Sequence, residues 1–355
     1  MDSLSQIALG AAVGIAVMGR RTAVWKAAAW GALAGTLPDL DVLIDYGEPI
    51  ANMVMHRGNS HGLFWLTLFS LPLALLVARI SGDWPIWRRW WLALWLVLIT
   101  HPLLDVLTIY GTQLAMPFSN YPYGVGSVFV IDPLYTLPLL VGTVWALVAR
   151  RKVGSGLRAN AAGLILSTVY LAWGVVAQQH VSGIASAALQ TQGIAAHSVL
   201  VTPTPLNTVL WRVVALSGDD AYYEGFYSLL DAAPPRIEFA AYPRGKALDA
   251  ELDRVQGVQR LRAFTKGFYA LRLVDGQVHI SDLRMGQEPD YAFTFAVASK
   301  QDAATAAVPK AVPDQVGGRG GGDSFSCSLS WLRQRILGMP LPPAAQFCQQ
   351  AAQKR

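Results

Sequence analysis

Residues 90–109 read WWLALWLVLITHPLLDVLTI, and the reading of this stretch decides the class of fold. Twenty residues of nearly unbroken apolar character are what one helix needs to cross a bilayer. Its two ionisable residues, His101 and Asp105, stand four apart, so a helix places them on one face. Ionisable groups inside such a helix are functional by default, with packing of one helix on another as the plainer alternative.

Outward from this run, further apolar stretches occupy Leu4–Met18, Ala23–Leu37, Leu63–Ile80, Phe129–Ala149 and Leu157–Ala177. Basic residues cluster at Arg20, Arg21 and Lys26, at Arg79, Arg88 and Arg89, and at Arg150, Arg151, Lys152 and Arg158. The intervening loops at about 38–62 and 111–128 hold only Arg57. Under the positive-inside rule this alternation predicts about six transmembrane helices, with both termini and those two loops on the outer side. Asp2 precedes the first apolar run and Arg20-Arg21 follow it, the reverse of a signal peptide, which favours a retained helix. The expected architecture is therefore a membrane all-α bundle over 1–181, carrying the site, followed by a small α+β domain over 182–355 outside the cytoplasm.

Composition agrees with a membrane protein. The 355 residues are 53% hydrophobic and only 14% charged, against about 25% charged in soluble domains. A net charge of +5 reads as a record of topology rather than of nucleic-acid binding. After residue 182 polarity becomes ordinary. Alternating runs around Asp275-Gly276 predict a β-hairpin near 267–284. Val209–Leu216 and Tyr291–Ala298 read as strands, and Pro313–Asp323, with its GGRGGGD, as a flexible loop. One arginine among glycines gives little support to an RNA contact. Cys327 and Cys348 could pair outside the cytoplasm or remain two thiols.

Three segments place ionisable groups where they are expensive: PDLD at 38–41, HRGNSH at 56–61 and HPLLD at 101–105. The predicted topology gathers Asp2, Asp39, Asp41, His56, His61 and Asp132 at the outer surface, with His101 and Asp105 in the outer half of their span. Carboxylates and neutral imidazoles are ligands for Zn²⁺ and Mn²⁺, and mixed sets of them suit ions that activate water. Arg57 could hold a phosphate bidentately, and Asp132 or Asp41 could activate water. Each segment also has a plainer reading: PDLD as a helix stop, HRGNSH as a polar loop, Asp132-Pro133 as an N-cap. No P-loop or HExxH occurs.

At these motifs the chain resembles the YdjM-type family of bacterial inner-membrane proteins, described as membrane-bound metal-dependent hydrolases. The resemblance rests on MDSLSQ at 1–6, PDLD, HRGNSH, HPLLDVLTIYGTQLAMPFS at 101–119 and IDPLY at 131–135, with PLNTVLW at 205–211 and DLRMG at 282–286 beyond them. More distantly, its HxxxD with preceding Asp and His residues is similar to zinc-dependent phospholipase C and P1-type nucleases. That resemblance implies zinc ligands among Asp39 or Asp41, His56 or His61, His101 and Asp105; no further HxxxE is present. The expected function is a metal-dependent hydrolase, a phosphoesterase on a lipid or lipid-linked phosphate at the periplasmic face of the inner membrane. An ion transporter using the His/Asp pair and a membrane-tethered binding protein are the alternatives.

Overall fold

The structure, a computed structural model, describes residues 1–149, 152–300, 306–316 and 322–353 and divides into two compact units. The first comprises Met1–Ile44, Met55–Val176 and Pro205–Asn207, the second Asp45–Val54, Ala177–Thr204 and Thr208–Arg355. Arg150 and Arg151 of the third basic cluster lie outside the described residues.

The first unit is helical. Asp2 starts α1 (Ser3–Met18) by accepting from the backbone of Leu4 and Ser5, which satisfies donors that have no partner within the helix. Helix α2 (Val24–Thr36) runs into Pro38, where the chain tightens into a 3₁₀ turn over Pro38–Leu43. Helix α3 (Pro49–Met55), all but its last residue in the second unit, and a second 3₁₀ turn (Asn59–His61) precede α4 (Leu63–Ile80). Then follow α5 (Trp87–Val106), α6 (Pro133–Val148), capped by Asp132, and the long α7 (Val153–Thr191), whose residues from Ala177 onward belong to the second unit. Ile15, Met18, Trp90, Leu94, Tyr135 and Leu139 are among the buried residues of the shared core.

Glycines set how closely α1 and α2 approach. A Cβ on Gly31 would stand 2.2 Å from the Gly10 carbonyl oxygen, and one on Gly10 would stand 2.3 Å from that of Gly31. Small residues let helix backbones touch in this way. Gly31→Val is therefore expected to force the pair apart at a cost of at least about 2 kcal/mol. A lower thermal midpoint in detergent than wild type would show it.

The expectation of about six membrane spans is corrected. Among the described residues only Leu63–Ile80 and Val153–Thr191 are long and apolar enough to cross a membrane. The apolar runs are broken by caps and prolines into helices of 16, 13 and 16 residues for α1, α2 and α6, roughly 24, 20 and 24 Å at 1.5 Å per residue. A hydrocarbon core is about 30 Å thick. Helix α5 has 20 residues, but Arg88-Arg89 at its start and His101, Pro102 and Asp105 near its end hold its hydropathy down.

The second unit is β-rich. Strands β1 (Ala196–Pro203), β2 (Leu210–Ser217), β3 (Ala221–Ser228) and β4 (Ala240–Pro243) form one antiparallel sheet in that order. Helices α8 (Lys246–Glu251) and α9 (Gln256–Phe264) precede β5 (Tyr269–Val274) and β6 (Gln277–Asp282), which pair across Asp275-Gly276. After the small β7 (Gly286–Gln287) and β8 (Asp290–Tyr291) ladder come β9 (Thr294–Ser299) and β10 (Val308–Gln315). The second four-stranded sheet has the order β10-β9-β6-β5. Buried Val214, Leu216, Tyr222, Phe268, Ala270 and Leu283 form one cluster drawn from both sheets.

The loop expected over Pro313–Asp323 is also corrected at its ends. Pro313–Gln315 belong to β10, with Asp314 opposite Ala296 and Gln315 opposite Phe295, and α10 (Gly322–Ile336) begins within GGRGGGD. Prolines are tolerated there because β10 is an edge strand. Residues 317–321 lie outside the described residues. Cys327 on α10 and Cys348 on α11 (Ala344–Gln353) form a disulfide.

Candidate metal centre

The 3₁₀ turn after α2, the second turn before α4 and the last turns of α5 bring Asp39, His61, His101 and Asp105 together, one ligand atom from each lying within 4.8 Å of the others. His61 Nε2 lies 3.1 Å from His101 Nε2, 3.3 Å from Asp39 Oδ1 and 3.3 Å from Asp105 Oδ2. His101 Nε2 lies 3.4 Å from each of the same two oxygens. Ligands about 2.0 Å from a tetrahedral ion stand about 3.3 Å from one another. Five of the six edges have that length.

Hydrogen bonding at the far side of each ring defines the atoms that converge. His101 Nδ1 is 2.7 Å from the Gly35 carbonyl oxygen, which can only accept, so Nδ1 carries the hydrogen. Ser60 Oγ donates to Asp41 Oδ2, leaving it to accept from His61 Nδ1 at 2.9 Å. In the neutral rings both Nε2 atoms then present lone pairs, facing two carboxylate oxygens. Asp39 Oδ1 and Asp105 Oδ2 are buried and have no hydrogen-bond partner. A cation between them would satisfy all four acceptors at once. A proton can join one pair; an ion at the centre meets all four. The donor set fits a divalent metal, and the rings are held as metal-bound imidazoles usually are, by a bond from the other nitrogen.

Asp41 and His56 stand outside this group. Asp41 accepts from His56 Nδ1 at 2.7 Å, from the Arg57 backbone at 2.9 Å and from Ser60 Oγ. It anchors the HRGNSH loop. Burial pushes its carboxyl up, but the bonds from His56 and Ser60 outweigh this and hold it below its usual range. At Asp39, too, burial acts upward and the imidazoles of His101 and His61 prevail, keeping the carboxylate ionised.

Arg57, in the left-handed region at φ 63°, is buried. Its guanidinium lies 3.4 Å from Asp105 Oδ1 and 4.9 Å from the centre of the Tyr110 ring. Thus it neutralises the ligand carboxylate from behind. Asp132 accepts from the Leu134 backbone at 3.0 Å and from the Tyr170 hydroxyl at 2.8 Å; these contacts make it the α6 cap, and none joins it to the four ligands. Asp2 caps α1.

Sequence reasoning missed Gln6 and Ser60 as individual residues. Gln6 Nε2 lies 3.3 Å from Asp105 Oδ1 and 3.3 Å from the His101 carbonyl oxygen. A glutamine buried in the largely apolar α1 was the available signal. Asp105 Oδ1 also receives the Met1 amino group. Such partners orient ligands, so Gln6→Ala and Ser60→Ala are each expected to weaken zinc binding about 10- to 100-fold. Competition against a chromophoric chelator measures this, and unchanged affinity would remove both residues from the centre.

A family model described as YdjM inner membrane protein matches residues 1–181, the half of the chain that contains all four ligands. This chain belongs to the YdjM inner membrane protein family. It is 28% identical over 156 residues to the uncharacterized protein YfhP of Bacillus subtilis strain 168, covering 41% of this chain and 46% of that protein. The chain thus spans about half the length of the curated relative it matches. No solved structure matches. Membership places this chain among inner-membrane proteins, in keeping with its two candidate spans.

Proposed function

We propose that this YdjM-family chain is a metal-dependent hydrolase, a phosphoesterase acting on a lipid or lipid-linked phosphate at the periplasmic face of the inner membrane. The observation that supports it best is the convergence of four acceptor atoms at tetrahedral spacing, with the Asp39 side chain 21% exposed and the other three ligands buried. Asp39, His61, His101 and Asp105 would hold the ion. Two imidazoles with two carboxylates suit zinc first and manganese second. When bound, such an ion supplies Lewis acidity toward a phosphoryl oxygen and a water.

The protein's own part is to orient and to exclude. Gly35 and Ser60 fix the rings, while Gln6 and Arg57 hold Asp105. The Asp39 side is the way in, because water and substrate can reach the centre only past the ligand that solvent already touches. The Cys327–Cys348 disulfide supports a periplasmic second unit, since structural disulfides persist in oxidising compartments and not in the bacterial cytoplasm.

The test loads detergent-purified protein with zinc or manganese and offers it a panel of phosphoesters, lipid phosphates included. Mass spectrometry follows the products. Release that disappears in the His101→Ala variant is the expected result. A chain that holds one ion and releases nothing from any ester would end the hydrolase reading.

A further inference from the structure

The turn that carries Asp39 has its apolar and acidic residues the wrong way round for water. Over Pro38–Ile44, Asp41 is buried and Asp39 faces the imidazoles, while Leu40, Val42, Leu43 and Ile44 are exposed by 52%, 69%, 79% and 53%. Four large apolar side chains in five positions, all turned outward, are not a scatter of surface leucines. A soluble fold would have buried them and exposed the acids.

A second feature points the same way. His61 is followed, after Gly62, by α4, one of the two helices long and apolar enough to span a membrane. A metal ligand therefore sits at the mouth of a candidate span. Aromatic residues collect at that end: Phe64 packs edge-on to Trp65 at 5.1 Å and to Phe118 at 5.4 Å. Phe118 is itself 79% exposed. Aromatic side chains at the end of a span mark the level of the lipid headgroups. The ligand pair Asp39 and His61 joins the two features across less than one side chain.

We propose that the Leu40–Ile44 turn is a lip immersed in the outer lipid surface, so that the metal centre opens onto the bilayer and takes its substrate from the membrane plane. The occupant of the lip is the acyl–headgroup boundary of the bilayer. A lipid enters by lateral diffusion, its phosphate level with Asp39 and its chains beside Val42 and Leu43. The kinetic half of this inference rests on the hydrolase reading; the immersion half does not.

Two measurements test it on the full chain. Cys327 and Cys348 are paired, so Leu43→Cys offers a single reactive thiol for a nitrobenzoxadiazole label. In phosphatidylglycerol–phosphatidylethanolamine nanodiscs, doxyl-labelled lipid should quench the label and aqueous iodide should not. Quenching by iodide, or by neither agent as under a covering protein, overturns the lip. In the second arm Val42→Ser/Leu43→Ser should keep its metal and its turnover of soluble bis(p-nitrophenyl) phosphate within about twofold. Hydrolysis of vesicle phospholipid should fall at least about tenfold, because the variant loses interfacial apolar area. Equal loss on both substrates, or loss on neither, overturns the proposal. If wild type hydrolyses neither, the hydrolase reading fails, and the quenching arm alone decides whether the lip is immersed.

Discussion

His101→Ala empties the metal centre: bound zinc or manganese is expected to fall from about one ion per chain to below about 0.1, by mass spectrometry of the purified protein. Structural zinc sites bind with roughly 10–16 kcal/mol, so one of four ligands accounts for about 3 kcal/mol, or more than a hundredfold in affinity. His101 is a clean position for this test. Its Nε2 faces the other three ligands and its Nδ1 meets only the Gly35 carbonyl. Alanine there removes a neutral ring beside α2 and leaves Asp105 paired with Arg57, so the circular dichroism should be retained. His61→Ala should behave alike. Wild-type protein that holds no metal after reloading would remove the centre altogether.

Asp105→Ala should do two kinds of damage. It removes a ligand and also strips the counter-charge from Arg57, whose guanidinium lies 3.4 Å away and is buried. Breaking a buried pair by removing one partner costs about 3–5 kcal/mol. For a unit of this size that is a fall of about 10 °C in melting temperature. Asp105→Asn keeps the shape and should cost less stability while still losing metal. Both variants remove the charge, so the difference between them reports volume, and an asparagine variant as stable as wild type would mean that Arg57 is not held by charge. His101→Ala, which leaves the Asp105–Arg57 pair intact, should melt closer to wild type than Asp105→Ala.

Parts of this site were legible in advance for a physical reason. Helical spacing places residues four apart on one face, and His101 Nε2 and Asp105 Oδ2 are 3.4 Å apart. The choice between Asp39 and Asp41, and between His56 and His61, was not legible. It is made by the two 3₁₀ turns, whose tighter winding sends Asp39 toward the imidazoles and Asp41 back toward His56 and Ser60. Arg57 and Asp132 looked available for chemistry, because a sequence does not show that Arg57 has folded against Asp105 or that both Asp132 oxygens are occupied. The span count went astray through length. Apolar runs were counted across caps and prolines that the folded chain uses as stops.

Taken alone, the sequence determined the apolar character of the first half, the β-hairpin signal around Asp275-Gly276, and the inventory of His and Asp residues from which a centre could be made. Those properties are local: composition, alternation and i,i+4 spacing act over a few residues. Tertiary structure decided which four of the candidate side chains meet and which face of the Asp39 turn is left apolar. The meeting of the four depends on the second turn folding back against α5 and on the Asp39 turn reaching His61, contacts between residues tens of positions apart. No local pattern encodes such distances, because they are set by how whole helices pack.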